Sequence, residues 1–429
     1  MEYSAAGLGT QGGAVVSVKR NGLIAALDVG TTKVCCFVAR VEADQAIRVV
    51  GIGHQVSNGL RSGAVVDMEA AEHSIRAAVD AAEKMAGETI RETFVNLSGG
   101  YPASHTVGVE VSISGREVGQ SDLRRVLDQG RARPEAGERE VVHSIPVGYT
   151  IDGSRGIRDP RGMYGERLGI NMHVITAARG AKRNLAVCVE RCHLSIEAVV
   201  VSPYASGLAC LVEDEKDLGV TLIDLGGGVT TIAVFFDGSL VRIDSVPVGG
   251  NHVTNDIARG LSTPTAHAER MKTLYGSALP NPADEQEMID VPQVGETDRH
   301  SANHVPRSVL IGIVRPRIEE TFELVRDRLR NSGFDRIAGR RVVLTGGASQ
   351  LQGVRELAAR VLDKQVRMGR PLRINGLAEA TGGPAFSTCA GLLIHAARDP
   401  AQVLQPPKSP EVAVGGHIAR VGRWLRENF

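Results

Sequence analysis

The chain has 429 residues, too many for one ordinary core, so two or three domains are expected, each burying its own interior. With 42% hydrophobic and 23% charged residues it is a folded globular protein, and 49 basic against 49 acidic side chains leave no net field to draw it onto nucleic acid. The six cysteines lie mostly in apolar runs with no C-x-x-C pair, which excludes the usual zinc and redox patterns and reads as small core residues in a reducing compartment.

Residues 1–20 lack the long apolar region of a secretory signal and read as a disordered tail. No apolar run reaches the about 18 residues of a membrane span, so a cytoplasmic chain is expected. "LIAALDVGTTKVCCFVARV" (23–41) is an apolar strand, a Gly/Thr turn and a second strand, a hairpin signature. "IRVVGIGHQ" adds a third strand, and residues 67–85 place Met68, Ala71, Ile75, Ala78, Val79, Ala82 and Met85 at helical spacing, with Asp67 as N-cap and Gly87 as stop. From about 91 to 171 the texture changes to short strands around one helical stretch, "QSDLRRVLDQGRA", which reads as a small inserted module. "NMHVITAA", a helix over 182–192, the strand "IEAVVVS" and the helix "YASGLACLV" close the first domain.

At Thr221 the opening phrase returns as "TLIDLGGGVTTIAVF". Two helices follow ("GGNHVTNDIARGL", "AHAERMKTLYG"), then a polar, Pro-containing stretch over 277–304 and a long helix around "VLIGIVRPRIEETFELVRDRL", where Pro316 marks a kink or an early-turn position. "RVVLTGGASQLQGVRELAARVL" is a strand, a Gly-Gly turn and a helix, and "AFSTCAGLLIHAAR" is the last helix before linker composition over 399–416.

The repeated turns carry the chemistry. A Gly-rich turn brings backbone N–H groups close to a phosphate, threonine hydroxyls add donors, and an aspartate at the strand end can hold Mg²⁺. Two such turns facing one another would grip one polyphosphate: Gly30, Thr31, Thr32, Gly226, Gly227 and Gly228 by backbone and hydroxyl, Lys33 by charge, Asp28 and Asp224 through magnesium. Either turn alone is equally well a tight hairpin. Gly346 and Gly347 form a third turn against which a planar base could lie, though alone it reads as a simple helix entry. Glu269 and Lys272 share one helix face, the ordinary arrangement of a solvated surface pair. At the chain end, a helical projection of "HIARVGRWLRENF" gathers Ile418, Val421, Trp424, Leu425 and Phe429 on one arc and Arg420, Arg423 and Arg426 on the other, which suits an anionic lipid surface or, failing that, docking on its own domain.

The three turns in this order, with the Glu-x-x-Lys pair between the second and third, resemble the nucleotide site of the actin, heat-shock chaperone and sugar kinase superfamily. With the terminal "WLREN" and the inserted module, the chain from about residue 22 onward resembles the FtsA family of bacterial cell-division proteins. The resemblance implies an α/β, actin-like duplicated fold whose two domains close on ATP and Mg²⁺, with an FtsA-type small α+β subdomain inserted in the first half and a C-terminal amphipathic helix. Its implied parts are a tail (1–20), a first-half subdomain (21–90 plus 172–215), the insert (91–171), a second-half subdomain (216–243 plus 336–398), a subdomain for the C-terminal tail of FtsZ (244–335), a linker (399–416) and a membrane-targeting helix (417–429). It further implies that Arg307 and Arg317 meet the FtsZ tail, that the insert meets later division proteins, that the protein forms filaments with itself, and that it tethers the FtsZ ring at the inner membrane of the septum. One departure bears on turnover: where the second turn of the superfamily often reads Gly-Gly-Gly-Thr-x-Asp, this chain has Val229 and Thr231, losing a hydroxyl and a carboxylate, so at most weak ATP hydrolysis is expected. A small-molecule kinase or a pilus-assembly relative would share the turns; the terminal amphipathic stretch argues for the FtsA family.

Overall fold

The computed structural model describes residues 22–131, 137–295 and 303–398. The expected tail, linker and terminal helix, with Ile418, Arg420, Val421, Arg423, Trp424, Leu425, Arg426 and Phe429, lie outside the described residues.

β1 (Leu23–Val29) and β2 (Lys33–Val41) form the first hairpin, extended by β3 (Ile47–Val56). A two-residue-per-strand ribbon of β4 (Leu60–Arg61) and β5 (Ala64–Val65) precedes α1 (Met68–Ala86). Asp67 accepts the Ala70 N–H and Gly87 stops the helix at φ 71°, both in their expected roles. Met85, expected on the buried stripe, is 61% exposed, because the last turn of α1 packs on the core through Ala82 and Ala86 instead. β3 lies so close under α1 that a Cβ on Gly53 would stand 1.8 Å from the Ala78 carbonyl oxygen.

The chain continues through β6 (Glu92–Leu97), β7 (Ala103–Ser112), α2 (Gln120–Arg131), β8 (Arg139–Ile151), β9 (Ser154–Ile157) and β10 (Arg167–Ala178). α3 (Arg179–Arg191), β11 (Ser195–Val201), α4 (Ser202–Cys210) and α5 (Glu213–Leu218) lead into the second half. There β12 (Val220–Leu225), β13 (Thr230–Phe236) and β14 (Ser239–Val246) are followed by α6 (Gly250–Gly260) and α7 (Thr265–Tyr275). The expected polar stretch holds a small ribbon of β15 (Met288–Val291) and β16 (Asn303–Pro306), after which come α8 (Arg307–Asn331), β17 (Arg341–Thr345), α9 (Val354–Leu362), β18 (Gln365–Met368) and α10 (Ser387–Ala397). Pro316 lies well inside α8, past its first turn.

The two large sheets have one topology. Their orders are β11-β6-β1-β2-β3 and β14-β13-β12-β17-β18, the second written in reverse. In each, the hairpin pairs antiparallel and its first strand pairs parallel with a later strand, β6 or β17. Duplication in the sequence is thus duplication in space. The insert is a four-stranded sheet, β7-β10-β8-β9. Two strands fall across its expected edges: β6 pairs with β1 and β11, while β10, whose latter part was expected to resume the first domain, runs between β7 and β8 through to Ala178. β6 is buried along its whole length after Glu92, as a strand lying between β1 and β11 in the sheet must be.

One apolar cluster joins the halves: Phe37 and Val200 meet Tyr204, Phe235, Val343 and Leu392 around α4 and α10. These two helices cross so closely that a Cβ on Gly391 would be 1.8 Å from the Ala205 carbonyl oxygen. The six cysteines are free and all but Cys192 are buried, as expected of core residues.

Candidate nucleotide site

Each hairpin ends in the same turn. The Gly30 N–H donates to the Lys33 carbonyl at 3.0 Å, and the Gly226 N–H donates to the Val229 carbonyl at 3.0 Å. Asp28 stands opposite Cys35 and Asp224 opposite Thr231, the same register in both halves. The turns face one another across a cleft of about 550 Å³. A Cβ on Gly227 would lie 2.4 Å from Thr32 Cγ2, and one on Gly228 would lie 2.6 Å from Thr31 Oγ1.

Every residue expected at the site lines this cleft: Asp28, Gly30, Thr31, Thr32 and Lys33 from the first half, and Asp224, Gly226, Gly227, Gly228, Glu269, Lys272, Gly346 and Gly347 from the second. The second turn is held from behind by the start of α6, where the N–H groups of Gly250 and Asn251 donate to the Gly226 and Gly227 carbonyls at 3.0 and 2.7 Å. Gly346, at φ 88°, brings the third turn against Asp224: a Cβ there would be 2.4 Å from Asp224 Oδ1. That turn opens a single 3₁₀ turn, Gly347–Gln350, and α9 starts only at Val354.

The electrostatics centre on two buried carboxylates. Burial pushes Asp28 up to about 6, with Lys33 opposing and the neighbouring Asp224 adding to the rise. Burial likewise raises Asp224, against hydrogen bonds to Oδ2 from Ser206 Oγ at 2.6 Å and Thr388 Oγ1 at 3.2 Å. Two desolvated carboxylates that repel one another suit a divalent cation. Among the described residues there is no cluster of three or more His, Cys, Asp or Glu side chains that could hold a metal. Two carboxylates match the one or two that Mg²⁺ takes when phosphate oxygens and water complete its shell.

The cations of the cleft have partners. Lys33 donates to the Ala385 carbonyl and its ammonium lies 3.5 Å from the centre of the Phe386 ring. Lys272 meets Glu269 at 2.6 Å and donates to Thr254 Oγ1 and to the Gly250 carbonyl, so the pair is built into the cleft wall by α6.

Sequence reasoning missed Asn96, Ser202 and Thr388, which also line the cleft, and Ser206 just behind it. Asn96 Oδ1 accepts the Val29 N–H at 2.7 Å, fixing the strand end just before the first turn, and its amide donates to Ser202 Oγ at 3.1 Å. The available signal was a lone amide in the apolar run "TFVNL" and a hydroxyl pair opening the apolar helix "STCAGLL".

Arg307 and Arg317 do not line the cleft. Arg307 meets Asp284 at 3.1 Å and Glu287 at 3.0 Å, and donates to the Tyr275 carbonyl and Gln352 Oε1. Arg317 meets Asp256 at 2.5 Å and also pairs with Glu320. Among the described residues no helix is long and apolar enough to cross a membrane.

The fold and the sequence agree with known proteins. The "PilM-PilN type IV pilus biogenesis complex" has a similar solved structure, with a TM-score of 0.62 at 16% identity, covering 89% of this chain and 99% of that one, a likeness of fold alone. "Cell division protein FtsA" of Rhizobium meliloti is 48% identical over 96% of each chain, and that of Escherichia coli is 34% identical over 95% of this chain and 98% of its own. The family model for cell division protein FtsA matches residues 221–391, and that of the SHS2 domain inserted in FtsA matches residues 99–176, the stretch that folds as the four-stranded sheet. The duplicated actin-like fold, the insert and this full-length similarity place the chain in the FtsA family of cell-division proteins.

Proposed function

We propose that the cleft binds ATP with Mg²⁺ and that nucleotide acts as an assembly switch, with slow or negligible hydrolysis. The observation that carries this is the pair of matched turns, each with its buried aspartate, meeting across one cleft that also holds Gly346, Gly347, Glu269 and Lys272. The turns would cradle the polyphosphate, Lys33 would exchange the Ala385 carbonyl for a phosphate oxygen, and Asp28 and Asp224 would hold Mg²⁺, which supplies neutralising charge to the phosphates. Gly346 and Gly347 would receive the base, with Glu269 and Lys272 toward the ribose. Val229 lacks the hydroxyl, and Thr231 the carboxylate, that would orient an attacking water.

In this reading the closed protein polymerises, its terminal amphipathic segment holds it peripherally on anionic lipid at the cytoplasmic face of the inner membrane, and it tethers the FtsZ ring there at the septum. The FtsZ tail, if acidic, binds at Arg307 and Arg317 by exchange with their own carboxylate partners, and the insert recruits later division proteins. The test is co-sedimentation of FtsZ with anionic liposomes plus ATP, using the full chain and a version truncated after Val414. Pelleting of FtsZ with the full chain alone supports both tether and partner. If neither version carries FtsZ down, the tethering role fails.

A further inference from the structure

We propose a second binding site, for a free oxyanion of the inorganic phosphate type, adjoining the main cleft beside the paired turns. A separate cavity of about 210 Å³ lies there, sharing Thr31, Gly228 and Asn251 with the cleft as a common wall. Its remaining polar lining is Arg61, Ser62, His252 and Asn255, and among the described residues no acidic side chain faces it. Such a lining donates rather than accepts. Arg61 is exposed and, among the described residues, has no ion-pair partner. His252 Nδ1 accepts the Gly249 N–H at 3.1 Å, so a neutral ring carries its proton on Nε2 and presents it as a donor. The amides of Asn251 and Asn255 add N–H groups from the same helix.

The wall from the first half is rigid. Ser62 and Gly63, at φ 49° and 73°, form the tight two-residue tip joining β4 to β5. A serine held at positive φ is an uncommon state that the surroundings must enforce. They do: the Gly63 N–H donates to Thr31 Oγ1 at 2.9 Å, and a Cβ on Gly63 would stand 2.7 Å from the Gly99 nitrogen. Arg61 and Ser62 are thus presented to the cavity by the first half, and Asn251, His252 and Asn255 by the second. An anion bound here bridges the halves and favours the arrangement in which the turns touch.

The site is tested without nucleotide, so its failure is separable from failure of the ATP reading. Inorganic phosphate is titrated into the nucleotide-free full-length protein and followed by calorimetry and by thermal midpoint. Expected are saturable binding at millimolar concentration, a midpoint that rises with phosphate, and about tenfold weakening in Arg61→Ala, with a smaller loss in Asn255→Ala. The Arg61-dependent binding should persist in Lys33→Ala, which removes only the cation of the main cleft. Absence of saturable binding overturns the proposal, and so does binding that survives Arg61→Ala but is lost in Lys33→Ala, which would put the anion in the main cleft.

Discussion

The first and second turns share a backbone and divide the chemistry. Counting from the aspartate, Thr31 matches Gly227, Thr32 matches Gly228 and Lys33 matches Val229. They meet crosswise, as elements related by a two-fold must: Thr31 faces Gly228 and Thr32 faces Gly227. Side chains on both partners of either pair would collide, since even a single added carbon on Gly227 falls 2.4 Å from Thr32. One half must therefore give up its side chains. The duplication fixes the frame, and steric exclusion across the approximate two-fold makes the halves specialise, hydroxyls and ammonium on the first, bare backbone on the second.

The sharpest break in that comparison is Gly227→Val, which places a branched side chain where Thr32 stands. ATP binding should be lost by roughly 100-fold or more, because the turns can no longer meet around a phosphate. Retained binding, measured by calorimetry, would sink the assignment of the second turn. Pairing a milder Gly227→Ala with Thr32→Gly should restore much of the loss if the contact itself is responsible.

Next in size is the contrast between the two aspartates. Asp28 has its folded value raised from 3.8 to about 6, so charging it opposes folding. The folded state holds the extra proton between those values, so stability falls as pH rises from about 4 to 6, and the full cost persists above 6. Asp28→Asn should thus stabilise the nucleotide-free protein at pH 7.5 by up to about 3 kcal/mol, with the gain vanishing below about pH 4. The same change should weaken Mg·ATP binding about tenfold. Asp224→Asn should weaken binding as much but stabilise less, because Ser206 and Thr388 already compensate its charge. Denaturation across pH distinguishes the two. Lys33→Ala follows, with a loss of about tenfold in ATP affinity and a loss of stability at neutral pH, because the buried Asp28 carboxylate loses its opposing charge.

The turns were legible in the sequence because an apolar run ending in Asp-x-Gly leaves few conformations open, and its recurrence at Asp28 and Asp224 revealed the duplication. Asp67 and Gly87 bounded α1 for a local reason too, cap chemistry. What escaped was set by distant partners. Nothing local in "RSG" says that Gly63 reaches Thr31, and nothing in "TFVNL" says that Asn96 props up Val29. The edges of the insert were misplaced because β6 and β10 choose their sheets by pairing with strands far along the chain, which short-range texture does not encode. For Arg307 and Arg317 the sequence offered charge, and only the structure supplied the carboxylates that already hold them.

The smallest expected effect tests whether the specialisation of the second turn is steric or chemical. Val229 matches Lys33, lines the cleft and is only partly buried, and threonine has the branched shape of valine. A hydroxyl there is therefore allowed by space. Val229→Thr keeps the branched shape and the closing bond from Gly226, which uses the Val229 backbone carbonyl. Stability should change by less than about 1 kcal/mol. A hydroxyl donated to a phosphate oxygen should tighten ATP binding by about threefold to tenfold. Hydrolysis should stay negligible, because Thr231, opposite Asp224 on β13 and 3% exposed, still supplies no carboxylate. Single-turnover phosphate release from the variant separates the two outcomes. Tighter binding without turnover assigns the missing chemistry to position 231, whereas turnover would show that one hydroxyl at 229 was all that held the second half back.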